Sequence, residues 1–152
     1  MHITLAAIGR PKASPEIALL EEYQKRLTGF GWQLTLKQQT VKKNLTGDAL
    51  KKAEADVLLS LIDEKAPLVA LDERGQNLTS QKFATKLEAL QTRHLNIVIG
   101  GADGLHADVL QKATFKLALG QLTWPHKLVM PMIGEQIYRA CTLLNNHPYH
   151  RE

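Results

Sequence analysis

Two short stretches, Leu68-Val69-Ala70-Leu71 and Asn96-Ile97-Val98-Ile99, constrain the fold of this chain more than any other feature. A strand with one wet face alternates apolar and polar residues. These two read as continuous apolar runs, the pattern of strands covered on both faces in a parallel sheet. Further strand candidates are Ile3 to Ile8, Trp32 to Leu36 and Phe115 to Leu119. Helix-length amphipathic segments fall between them, near 15–28, 47–63, 80–91 and 106–113, with a longer one near 131–145. Ser14-Pro15-Glu16 supplies an N-cap, a first-turn proline and an acid at the positive helix end. Thr79 or Ser80 is positioned to cap the third helix in the same way. Strict alternation of strand and helix predicts an α/β domain, three layers around a mostly parallel sheet. At 152 residues, with no repeat or linker, the chain reads as one domain over 1–152.

Composition narrows the classes. No apolar run approaches the ~20 residues that span a bilayer, so no membrane partner is expected. The apolar opening lacks a preceding basic region, so a secretory leader is not expected and cytoplasm is. The single Cys141 excludes an internal disulfide, and it reads as a small buried hydrophobe. Net charge is +4, with nine Lys/Arg against four Asp/Glu among residues 1 to 52. Arg10 and Lys12, with Lys42, Lys43, Lys51 and Lys52, are therefore candidates for a polyanion contact.

Ligands of open α/β sheets bind beyond the C-terminal strand ends. Three loops stand there: Leu71 to Gln76, Gly100 to Leu105 and Gly120 to His126. The second is neither a dinucleotide fingerprint, since Ala102 and Leu105 replace two of its glycines, nor a Walker A loop, since no Gly-Lys-Ser/Thr follows. Its glycines suit a ligand approached by bare backbone. They also suit a tight strand-to-helix turn, and the neighbouring Trp-Pro-His loop favours the ligand. Trp124 and His126, taken singly, read as structural. Asp72 fits a ribose contact or a turn cap equally well. No carboxylate pair, Ser-His-Asp set or metal-ligand cluster points to hydrolysis.

The final residues, His147-Pro148-Tyr149-His150-Arg151-Glu152, concentrate imidazole, phenol and guanidinium where a chain usually frays. That set suits phosphates and aromatic bases, which guanidinium pairs with and rings stack upon. An ordered but inert terminus is the plainer alternative.

At these loops the chain resembles the RlmH family, the SPOUT-class methyltransferases that modify N3 of a pseudouridine (position 1915) in 23S rRNA. The matching segments are ITLAAIGRPK, LVALDERGQNLTSQKFA, NIVIGGADGL, LTWPHKLV, EQIYRA and NNHPYHRE, in family order along the whole chain. The resemblance implies a C-terminal trefoil knot in the α/β fold, S-adenosylmethionine as cofactor and a homodimer acting on the assembled 70S ribosome, with no DNA partner. Carried over by position, it places the cofactor against Leu71, Gly101, Gly120, Gln121, Leu122, Thr123, Trp124 and Pro125. Glu135, Tyr138 and Arg139 fall in the matching helix. Glu135 and Arg139 join His147, Tyr149 and His150 as the catalytic candidates. Arg139, His147, Tyr149 and Arg151, with Arg10 and Lys12, are the RNA-binding candidates. The imide N3 must lose a proton, and His147 and His150 precede Glu135 as candidate bases, without the residues choosing among them. The chain departs from the family at Gln76, Met130, Pro131 and Gly134, and the last helix is expected to begin near Pro131. A non-catalytic RNA-binding or ribosome-assembly factor on the same fold is the competing class, disfavoured by the intact loops. A nucleotide-binding regulator lacks its phosphate cradle.

Overall fold

The apolar runs become the middle of a five-stranded, all-parallel sheet. In the computed structural model, which describes residues 1–41 and 44–150, β1 (His2–Ile8), β2 (Gln33–Gln39), β3 (Leu68–Asn77), β4 (His94–Ile99) and β5 (Phe115–Ala118) are ordered β2-β1-β4-β3-β5. Between them run α1 (Pro15–Thr28), α2 (Gly47–Leu61), α3 (Ser80–Ala89) and α4 (Ala107–Lys112), with α5 (His126–Leu144) closing the chain. Period-two side chains divide the core into two layers. Ile3, Leu5, Val69, Leu71, Leu95, Ile97 and Ile99 pack against α1, α3 and α5. Ala6, Leu68, Ala70 and Val98 face α2 and α4 with Ala55, Leu58 and Val109. The three-layer α/β reading holds.

Local chemistry fixes the helix starts. Ser14 Oγ accepts from the Ile17 amide at 3.3 Å, and Thr79, rather than Ser80, accepts from Lys82 at 3.2 Å. Buried Asn96 satisfies itself on the turn before β3, donating Nδ2 to the Asp63 carbonyl at 2.7 Å. Cys141 is fully buried, and burial pushes its thiol up to about 11.

Two expectations need correction. α5 begins at His126, five residues before Pro131, which lies inside the helix. The Leu128 and Val129 amides already bond the Pro125 carbonyl at 2.9 and 3.3 Å. Pro131 therefore leaves one early turn without its amide but does not start the helix. The other concerns Leu71 to Gln76, which is an excursion within β3 and not a loop after it. Leu71 and Gln76 both pair with Leu117, and residues 72–75 bulge out between them. Gly75 closes that bulge so tightly that a Cβ would lie 2.7 Å from the Leu117 backbone.

Candidate active site

Because every strand runs the same way, the β3 bulge and the segments after β4 and β5 emerge at one edge of the sheet. They enclose a cleft of about 400 Å³, walled by Leu71 to Arg74, Gly100 to Leu105, and Leu119 to Trp124 without Gln121. The Gly100–Leu105 segment is a tight turn. The Gly104 amide donates to the Gly101 carbonyl at 3.1 Å, and Gly104 sits at φ +81°. Gly120 also takes a positive φ, +100°, with open space where a Cβ would stand. Trp124 is not core. It is 37% exposed, and its indole Nε1 clasps the loop by donating to the Leu119 carbonyl at 2.8 Å. Asp72 Oδ1 accepts from the Arg74 amide at 2.8 Å, so it caps the bulge.

Two polar atoms near the cleft are buried without a partner among the described residues: His126 Nε2, in the wall, and Glu54 Oε2, behind the Gly100–Leu105 turn. Burial raises the Glu54 carboxyl above its ordinary value, while the Gly101 amide draws it back. Gly101 lines the cleft and is also pressed from the other side. A Cβ there would lie 2.7 Å from Glu54 Oε2, and closer still to Oε1, so it would meet the carboxyl and not the cleft.

The tail folds back on α5. Arg139 Nε donates to Glu135 Oε1 at 2.9 Å, Nη2 bonds the same oxygen, and the Tyr149 hydroxyl adds a third bond at 3.1 Å. Gln136 Nε2 donates to Glu135 Oε2 at 2.7 Å and is itself oriented by Ser80. Arg139 Nη1 lies 3.2 Å from His150 Nδ1. The Tyr149 ring carries the Arg139 guanidinium 4.8 Å from its centroid and Tyr138 edge-on at 4.7 Å. Burial first, and the Glu135 charge next, push the Tyr149 phenol up to about 12. Arg139 is held above its ordinary value, chiefly by its bond to Glu135. His147 is exposed and touches Phe30 edge-on at 5.5 Å.

The structure thus assembles the sequence candidates into two sets. Leu71, Gly101, Gly120, Leu122, Thr123 and Trp124 share the cleft wall, and Gln121 and Pro125 belong to the same loop off the wall. Glu135, Arg139, Tyr149 and His150 form the tail cluster. Neither His147, Tyr149 nor His150 lines the cleft of its own chain. Between the sets runs an apolar groove of about 610 Å³ bordered by Leu19, Tyr23, Leu128, Met132 and Glu135, which shares Leu117 to Gly120 with the cleft. Arg10 and Lys12 are exposed just past β1, at the same sheet edge. Arg151, Lys42 and Lys43 lie outside the described residues. Glu54 went unnoticed in the sequence, although it breaks the apolar stripe of Ala55, Leu58 and Leu61 on α2. His126 was visible there but read as structural.

Comparison with known proteins finds likeness along the whole chain. Residues 1–150 match the family model described as predicted SPOUT methyltransferase. A Rhodospirillum centenum protein named ribosomal RNA large subunit methyltransferase H is 49% identical over 99% of both chains. Proteins of the same name from Paramagnetospirillum magneticum and Rhizobium etli are 40% and 41% identical, again over 99% of both chains. With a parallel α/β sheet, a cleft at its C-terminal edge and this likeness over its whole length, the chain belongs to the ribosomal RNA large subunit methyltransferase H family of SPOUT methyltransferases.

Proposed function

We propose that this protein transfers a methyl group from S-adenosylmethionine to N3 of a pseudouridine in 23S rRNA of the assembled ribosome, acting in the cytoplasm as a homodimer. The observation that carries the reading is the cleft itself. Three strand-end segments present backbone and glycine to a space of about 400 Å³, within the size range of small-ligand sites. A purine recognised by backbone groups fits such walls. His126 Nε2, buried in the wall and unpartnered among the described residues, gains a polar partner when the cleft is filled. The family's trefoil threading of the C-terminal half accords with a site built from segments after β4 and β5.

S-adenosylmethionine supplies an activated methyl group on a sulfonium, so the chain's own task is to orient the acceptor and manage one proton. Four donors already surround Glu135, which makes it an anchor for the tail and a poor base. His147, exposed at the tail, is the group free to take the N3 proton, worth roughly 10²–10⁴-fold to the rate. Arg139 and His150 hold the tail and meet the phosphate backbone. Tyr149 has its ring face covered by Arg139, so it shapes the tail and does not offer an open stacking surface. Single chains keep tail and cleft apart, and a second copy docked on the exposed Leu19, Leu122 and Leu128 brings its tail to the cleft.

The test is mass spectrometry of ribosomal RNA from cells with and without the gene, beside transfer in vitro from labelled S-adenosylmethionine to purified ribosomes. Loss of one N3-methylated pseudouridine, restored by the protein, is the expected result. An unchanged modification pattern with normal subunit binding would favour the assembly-factor reading.

A further inference from the structure

The most anomalous side chain in the molecule is the Glu54 carboxyl. It stands only 7% exposed on the face of α2 that carries Ala55 and Leu58, where an apolar residue would pack at no electrostatic cost. Its Oε2 has no partner among the described residues. It lies against the Gly100–Gly104 turn: a Cβ on Gly101 would lie 2.7 Å from that oxygen. Asp103, in the same turn, opposes the carboxyl's negative charge and the Gly101 amide favours it. Lys52 of the same helix reaches Asp108 at the start of α4 at 2.8 Å, so α2 also touches the element that follows the turn.

We propose that Glu54 is a positioning residue, whose buried carboxyl braces the Gly101 backbone from behind and so sets the glycine turn in the shape that receives the methyl donor. The inference rests on the reading of the cleft as the donor site. It assigns the requirement for glycine at 101 to the protein and not to the ligand. A carboxyl suits this place better than a leucine because it is flat enough to lie against a bare Cα, with the neighbouring amide favouring its charge.

The proposal is tested on the full-length chain by calorimetric titration with S-adenosylmethionine, by KM for the donor and for ribosomes, and by thermal melting. E54Q keeps the shape and an accepting oxygen, and is expected to bind the donor within about threefold of the parent. E54L and E54A are expected to fold but to raise the donor KM tenfold or more, leaving the ribosome KM unchanged. G101A alone collides with the carboxyl and loses donor affinity, and E54A in the same chain restores part of it. Parental donor affinity in E54L and E54A would overturn the inference. So would G101A being equally harmful with and without Glu54, which would return the glycine requirement to the ligand. If E54Q and E54L both fail to fold, the carboxyl is part of the core and the inference again falls. A parent that binds no S-adenosylmethionine removes the cleft reading itself, a separate failure visible before any variant is made.

Discussion

Glu135 accepts from Arg139 Nε and Nη2, from the Tyr149 hydroxyl and from Gln136 Nε2, so three side chains meet on one carboxylate. Hydrogen bonds to a charged group contribute about 1.5–3 kcal/mol each, against about 1 for neutral pairs. Tyr149→Phe removes one of them and keeps the ring beneath Arg139. Tyr149→Ala removes the ring as well, along with its contact with Tyr138. Single-turnover methyl transfer is therefore expected to fall modestly in the first variant and far more in the second; equal losses would assign the whole effect to the hydroxyl. The same contacts govern ionisation. With its folded value raised to about 12, Tyr149 stabilises the docked tail fully below the ordinary phenol value of 10.0, and loses that contribution as pH rises through about 12. Ultraviolet titration should show a late-ionising phenol in the parent that is absent from the Tyr149→Phe chain. If the two chains titrate alike at high pH, the tail is not docked on Glu135.

At the scale of elements, α5 sets the distance between cleft and tail, and Gly134 sets how closely α1 crosses it. A Cβ at Gly134 would lie 2.5 Å from Leu20 Cδ1, on a side chain that is wholly buried. Gly→Ala in an exposed helix stabilises by about 1 kcal/mol, whereas overpacking a closed core costs about 1–3. Overpacking should win, so Gly134→Ala is expected to lower the melting temperature; a rise would mean that Leu20 moves aside freely. The departures at Met130 and Gly134 thus belong to core packing: Met130 is 3% exposed, with Gln38 Nε2 3.6 Å from its sulfur. Gln76 is tied to Lys86 at 3.1 Å. The cap of α3 stayed open between Thr79 and Ser80 in the sequence. The five strands, a mostly parallel sheet and the Ser14 cap of α1 were legible because apolar runs, strand–helix alternation and capping are read along the chain. The start of α5 was not, because proline marks a first turn more often than a sixth position, and only the Pro125 carbonyl reveals the difference. The β3 bulge was likewise hidden, since its register is dictated by Leu117 on another strand. Loop chemistry brought the wall residues into one neighbourhood, but it could not show Glu54 pressed against Gly101, because α2 is distant in sequence and meets the turn only in the fold.

For the molecule as a whole, the decisive fact is that the tail cluster and the cleft lie apart in one chain, joined by an apolar groove with Leu19 and Leu128 exposed at 45% and 40%. Apolar surface of this kind beside a site marks a contact face. A two-fold dimer through α1 and α5 would cover it and carry each tail toward the other chain's cleft. Leu128→Asp places a charge in that face and is expected to give a monomer by light scattering, with transfer lost. Complementation tests the crossing of chains directly. A chain lacking its last six residues keeps its cleft, and a Gly120→Val chain keeps its tail but strains a position at φ +100°. Neither should methylate ribosomes alone. Mixed after unfolding and refolding together, half the dimers pair an intact cleft with an intact tail at one of two sites, so about a quarter of parental activity should return. Dimers that form without regaining activity would place tail and cleft of one site in the same chain, and the groove would then serve assembly alone.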